Sequence, residues 1–359
     1  MRSRGYRSRT AEQGAAALER VGLIVVAAMV VAGVVAGISG AQLQTAVGNA
    51  VCRILDQGSC PPKGSTATPL QRATWGEYVA LGDSYASGEG AGDYDPDTDY
   101  DHGDEWDRDN WGDDERNRCH RSGNAYSNVI QREGTGITFE GGSTFAACSG
   151  ATQDDLTDDN DSNDHENPQL DDLDDDVSLV TMSIGGNDLG FADVVKDCVI
   201  NGESGIPMLD SCQDTHADRI DERLDTMHEE LVDTYDEIQE QARNARVVIV
   251  GYPELFEQEP RDSVSNLLFA EDQEWMNEQA GELNDMLREA AREAGVEFID
   301  PTEAFRGHGI GSDDPWINDL NWGGPGLSLV DPGSFHPNAQ GHAAMAELVE
   351  DQIREPEYP

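Results

Sequence analysis

The chain has 359 residues, with 72 acidic side chains against 23 basic ones and a formal net charge of −49. So large a negative excess repels phosphate backbones and excludes general nucleic-acid binding. The acid is spread over predicted loops and helices alike. That fits a surface adapted to high salt, where a Debye length of ~3 Å at 1 M screens self-repulsion, better than a local cation trap.

Residues 1–20 form a basic leader, with Arg2, Arg4, Arg7, Arg9 and Arg20 against Glu12 and Glu19. Residues 21–41, "VGLIVVAAMVVAGVVAGISGA", carry no charge. As a helix they would rise ~31 Å, enough to cross a bilayer. The expectation is one N-terminal transmembrane helix or signal anchor, with the arginines cytoplasmic and the rest exported. The protein would then sit outside the cytoplasm, anchored to the cell membrane, or be secreted after leader cleavage. Gly14, followed five residues on by Glu19 and then the apolar run, resembles a type IV pilin-like leader. That resemblance implies a prepilin-type peptidase as partner and Ala15 as the mature N-terminus.

Residues 42–74 read as a stapled linker or stalk, with Cys52 and Cys60 bracketing a short loop before a Pro/Gly/Ser/Thr-rich run. Six cysteines in an exported chain predict three disulfides. Sequence proximity favours Cys52–Cys60, Cys119–Cys148 and Cys198–Cys212. No cysteine or histidine pair shows a metal-ligand spacing, and neither a metal nor a cofactor is expected.

From residue 75 to 359 strand-like runs alternate with amphipathic helices. "EYVALGD", "GITFEGG", "VSLVTMSIGG", "ARVVIVGYP" and "GVEFIDP" are short, and mostly end in Gly or Pro. Within 216–243, Ile220, Leu224, Met227, Leu231, Tyr235, Ile238 and Ala242 form one apolar stripe. Trp275, Leu283, Met286, Leu287 and Ala290 do so less regularly in 272–294. The alternation predicts a parallel sheet with helices on both faces, its site at the C-terminal strand ends. Ser84 falls after the first strand, Gly150 after the second, Asn187 after the third, and His336 before the last helix, with Pro337 suited to that helix's first turn. A serine nucleophile, a histidine base and N–H donors for an oxyanion are the parts ester hydrolysis needs.

"GDSYASGEG", "GGND" and "FHPNAQGH" resemble the consensus blocks of the SGNH (GDSL-like) hydrolases. "RCHRSGNAY", "AACSGAT" and "GGNDLGFADVVKDC" resemble the secreted actinobacterial esterase and lipase branch. The resemblance implies a flavodoxin-like three-layer α/β/α sandwich with about five parallel strands. It implies Ser84 as nucleophile, His336 as base, and an oxyanion hole from the Ser84 and Gly150 N–H groups and the Asn187 amide. Many members carry an aspartate three residues before the histidine; here Gly333 stands there. A backbone carbonyl of Gly333 or Ser334 is expected to orient His336, with Asp331 as the alternative.

Two acidic insertions flank these blocks. Asp95, Asp97, Asp99 and Asp101 alternate, but His102 stands where an EF-hand loop needs glycine, so a solvated loop is expected. Trp106 and Trp111 on this loop are candidates for a lid. The expected function is a membrane-tethered serine esterase or lipase acting on small or lipid carboxylic esters. A carbohydrate O-acetylesterase or phospholipase A of the same fold is the alternative. A pilin-like surface binding protein with an inactive hydrolase domain is the alternative from another class.

Overall fold

A computed structural model describes residues 67–99, 117–160, 162–163, 166–191, 194–195, 198, 212–257, 270–321 and 330–357. Helix α1 (Pro69–Thr74), inside the stretch read as linker, is closed by a reciprocal capping box between Thr68 and Gln71. It packs on the domain through the fully buried Ala73. Strands β1 (Glu77–Gly82), β2 (Ser143–Phe145), β3 (Val177–Ser183), β4 (Arg246–Val250) and β5 (Glu297–Ile299) form one sheet in the order β2-β1-β3-β4-β5. Every pairing is parallel. All residues of β3 and β4 are buried, as a parallel strand covered on both faces requires.

The helices are α2 (Ser84–Ser87), α3 (Tyr126–Val129), α4 (Asp154–Thr157), α5 (Cys212–Gln241), α6 (Ala270–Ala294), α7 (Thr302–Phe305) and α8 (Ala339–Arg354). In α5, Ile220, Met227, Leu231, Tyr235 and Ile238 are fully buried and Leu224 partly so. Asp221, Glu222, Asp225, Glu229, Asp233 and Asp236 face water. Helix α6 packs beside α5. Its buried face adds Met276 and Ala280 to the expected stripe, while Met286 is only partly covered.

The second strand differs from expectation. "GITFEGG" is not a strand; β2 begins at Ser143. Ile137 and Phe139 are buried, and Phe139 stacks on Tyr78 at 4.8 Å, which produces the strand-like alternation. The backbone here bonds elsewhere: Glu140 N–H donates to the Thr74 carbonyl and Gly141 N–H to that of Gly76.

The expected transmembrane helix needs correction. Among the described residues no helix is long and apolar enough to cross a membrane. The long helices α5 and α6 are amphipathic, and segment 21–41 lies outside the described residues. Membrane anchoring, the membrane as partner and a membrane-bound location are therefore not retained. The leader at 1–20, Ala15, Cys52–Cys60, Trp106 and Trp111 also fall outside the described residues, as does the Cys212 side chain.

The chain leaves β1 for β2 on one side and returns to β3 on the other. This order makes the C-terminal crevice between β1 and β3 the topological switch point, where such sheets bind ligands.

Candidate active site

Gly82 ends β1 with φ 122°, and a Cβ there would lie 2.2 Å from the Ser183 carbonyl oxygen of β3. Only glycine lets the two strand ends approach so closely. Asp83 N–H donates to that carbonyl at 2.8 Å, and its carboxylate caps α2 by accepting the Tyr85 N–H at 3.0 Å. Ser84 is thereby the first residue of a short helix, and its N–H, like others in a first turn, takes no backbone acceptor among the described residues. Tyr252, just past β4, ties the strand ends together. Its hydroxyl donates to Asp83 Oδ2 at 2.6 Å and accepts the Gly186 N–H at 3.1 Å. Burial pushes the Asp83 carboxyl up to about 7, although Tyr252 and the Tyr85 N–H favour its ionised form.

His336 enters from the loop before α8. The helix starts at Ala339 with Asn338 as its cap, so Pro337 precedes the cap rather than joining the first turn. Phe335 has φ 64°, a left-handed conformation costly for an aromatic residue. Tyr85 Oη donates to its carbonyl at 2.8 Å, and its own N–H donates to Asn318 at 3.0 Å. The Asn318 amide donates to the Gly90 and Gly333 carbonyls at 2.9 and 3.1 Å, pinning the histidine loop to the serine loop.

Within this frame His336 Nε2 lies 2.8 Å from Ser84 Oγ, and Nδ1 lies 2.9 Å from the Ser334 carbonyl oxygen. A carbonyl only accepts, so the proton sits on Nδ1 and Nε2 is left to take the Ser84 proton. Burial pushes the imidazole pKa down, which keeps it neutral, with Nε2 unprotonated and able to accept a proton. Of the three candidate orienting groups, Gly333 uses its carbonyl on Asn318, and Asp331 Oδ1 accepts the Gly333 N–H at 2.9 Å. Asp331→Asn is therefore expected to cost less than about tenfold in kcat, under ~1.4 kcal/mol. Steady-state kinetics check this. A loss of about 10⁴, the effect of Asp→Asn in a true triad, would make Asp331 the third member.

Asn187 follows β3. One N–H of its amide donates to the Ala151 carbonyl at 2.8 Å, leaving the other available. Asp188 accepts the Gln153 N–H at 3.2 Å and pairs with Arg223 at 3.5 Å, a second tie between the two loops. Gly150 lies between Ser149 and Ala151, exposed, with φ 85°; its N–H takes no backbone acceptor among the described residues. A disulfide joins Cys119 to Cys148 just before it.

Ser84, Asn187 and His336 line one cavity of about 280 Å³. Phe191, Val195, Leu255, Leu283, Val330 and Phe335 supply much of its remaining wall. This is an apolar slot beside a serine–histidine pair. It suits an acyl chain whose carbonyl reaches Ser84.

Two positioning groups escaped sequence reasoning besides Asn318. Gln169, inside the second acidic insertion, is 4% exposed. It accepts the Gly82 N–H at 2.7 Å and donates to the Gly82 carbonyl at 3.0 Å, fixing the backbone two residues before Ser84. Glu166, from the same insertion, pairs with Arg121, whose guanidinium also donates to the Ala146 and Ala147 carbonyls. The insertion is thus partly structural; only its composition reads as solvated loop.

The family model described as the GDSL-like Lipase/Acylhydrolase family matches residues 80–344. Lipase 1 of Streptomyces coelicolor is 31% identical over 290 residues, covering 81% of this chain and 91% of that protein. The crystal structure of phospholipase A1 from Streptomyces albidoflavus NA297 superposes with a TM-score of 0.59 at 29% identity, covering 78% of this chain and 99% of that one. The extracellular lipase of Streptomyces rimosus superposes with a TM-score of 0.59 at 28% identity, covering 77% and 99%. These relatives displace the alternative of a surface binding protein with an inactive domain. With the serine–histidine pair at the sheet's switch point and this match along the domain, the chain belongs to the GDSL-like lipase/acylhydrolase family, of SGNH type, and is a carboxylic ester hydrolase.

Proposed function

We propose that this enzyme is an acyl hydrolase of lipid esters, of the phospholipase A kind, working through a Ser84–His336 dyad. The observation that carries the reading is the 2.8 Å Nε2–Oγ contact opening onto an apolar cavity. Ser84 Oγ bonds to the ester carbonyl carbon as His336 Nε2 takes its proton. The Ser84 and Gly150 N–H groups and the free Asn187 N–H receive the oxyanion. His336 then gives the proton to the departing alcohol, and water repeats the sequence on the acyl-enzyme. The Ser334 carbonyl holds the imidazole in the required tautomer throughout.

The acyl chain lies along Phe191, Leu255 and Leu283. The likeness to phospholipase A1 supports a glycerophospholipid as the lipid. A chain of net charge −49 favours zwitterionic over anionic headgroups at low salt. The Cys119–Cys148 disulfide fits export to an oxidising compartment.

The test is fatty-acid release from phosphatidylcholine, measured beside a p-nitrophenyl ester series. Release of one acyl chain with a lysolipid product, and a preference for butyrate or longer over acetate, are expected. Hydrolysis of acetate alone, with phosphatidylcholine untouched, would favour the O-acetylesterase reading.

A further inference from the structure

Glu89 is 2% exposed, and the reaction steps above give it no role. It follows α2, its N–H donating to the Ser84 carbonyl at 3.1 Å. Its carboxylate is enclosed by three donors from separate segments. His120 Nδ1 bonds Oε2, Ser149 Oγ donates to Oε2 at 2.9 Å, and Tyr94 Oη donates to Oε1 at 3.3 Å. The next residue, Gly90, backs onto the histidine loop: a Cβ there would lie 2.9 Å from His336 Cβ and 3.0 Å from the Gly333 oxygen.

His336 must carry a positive charge once it has taken the serine proton. Its Nδ1 partner is a neutral carbonyl, whereas a triad supplies a carboxylate. The other carboxyls near it do not bond the imidazole, whose ring nitrogens meet the Ser334 carbonyl and Ser84 Oγ. Asp83 is held by Tyr252 and the Tyr85 N–H, and Asp331 by the Gly333 N–H. Tyr85 faces His336 as an uncharged ring, 5.1 Å between centroids. His342 on α8 is fully buried, and burial holds its imidazole down to about 3, so it stays neutral.

We propose that Glu89 is a positioning residue that supplies, through space, the negative charge stabilising the His336 imidazolium. His120, Ser149 and Tyr94 keep it ionised for that purpose. The proposal rests on the Ser84–His336 reading. The electrostatics agree with it. Desolvation lowers the His336 pKa, the Glu89 charge is the strongest influence raising it, and the charge of His120 lowers it less. Burial would raise the Glu89 pKa, but the His120 hydrogen bond, the charges of His336 and His120, and Ser149 hold it below the ordinary range. Burial likewise opposes a charged His120, but Glu89 and then Asp99 raise its pKa, with Arg118 opposing.

The test is the pH profile of kcat/KM for Glu89→Gln and Glu89→Asp, which report the free enzyme's base. Losing the charge removes support for the imidazolium, so the acid limb of Glu89→Gln should move down by about 0.5–1 unit. The same lost interaction should lower plateau kcat by roughly three- to tenfold. Glu89→Asp, which keeps the charge, should restore the acid limb. If Glu89→Gln fails to fold, Glu89→Gln/His120→Gln leaves the cluster neutral and hydrogen-bonded, and its acid limb should also move down. An unmoved acid limb in a folded variant lacking the Glu89 charge would overturn the proposal. His336→Ala separates the two readings: if it retains full activity, the dyad itself is wrong, whatever Glu89 does.

Discussion

Ser84→Ala is expected to fold normally and lose ester hydrolysis by a factor on the order of 10⁶ in kcat, the scale on which a hydrolase loses its nucleophile. The fold should survive because the turn depends on Ser84's backbone. Its carbonyl accepts the Gly88 and Glu89 N–H groups, each at 3.1 Å, while its hydroxyl meets His336. The cap on α2 comes from Asp83, and Gly88, with φ 90°, closes that helix; neither is altered. Turnover on a p-nitrophenyl ester and a thermal melt check both halves. A folded variant retaining more than about a hundredth of wild-type kcat would remove Ser84 from the role, since a single lost oxyanion donor already costs ~10²–10³.

Asn187→Ala is expected to lower kcat by ~10²–10³, about 2.7–4 kcal/mol, with KM little changed. The amide is already oriented by the Ala151 carbonyl, so its second N–H needs no reorganisation to meet an oxyanion. Freed from Asn187, Ala151 remains linked to the β3 loop through Gln153 and Asp188, which limits collapse of the site. A rise in KM at constant kcat would show that Asn187 binds the ground state instead.

The sequence was most legible where burial dictates composition. Strands β1, β3 and β4 lie inside the sheet and are buried almost throughout, so apolar residues dominate them, with only small hydroxyl residues interrupting β3. The stripe on α5 was legible because one face meets the core and the other meets water. Strand β2 was not. It is a three-residue edge strand with an exposed first residue, whereas the buried Ile137 and Phe139 upstream mimic a strand, and the backbone just after them, at Glu140 and Gly141, bonds to Thr74 and Gly76.

At the site, Ser84, Asn187 and His336 were readable because each sits beside residues that force a turn. What holds them was not. Gln169 lies amid aspartates and Asn318 in a loop without periodicity, and each acts on a backbone group distant in sequence. Glu89 looked like one more acid in an acidic chain. Nothing local marks it as buried, because His120 and Ser149 reach it only through the fold. The glycine at 333 did carry a readable signal. With no side chain at the usual aspartate position, only backbone or a distant carboxylate was left to orient His336.

The proposed reaction requires Ser84 to become covalently acylated with His336 as its base. Exposure to a p-nitrophenyl alkylphosphonate, followed by peptide mass spectrometry, tests this most directly. One phosphonyl adduct on the peptide bearing Ser84 is expected, forming as activity disappears, and forming far more slowly in His336→Ala. An adduct on another serine such as Ser149, or complete inactivation with Ser84 unmodified, would contradict it.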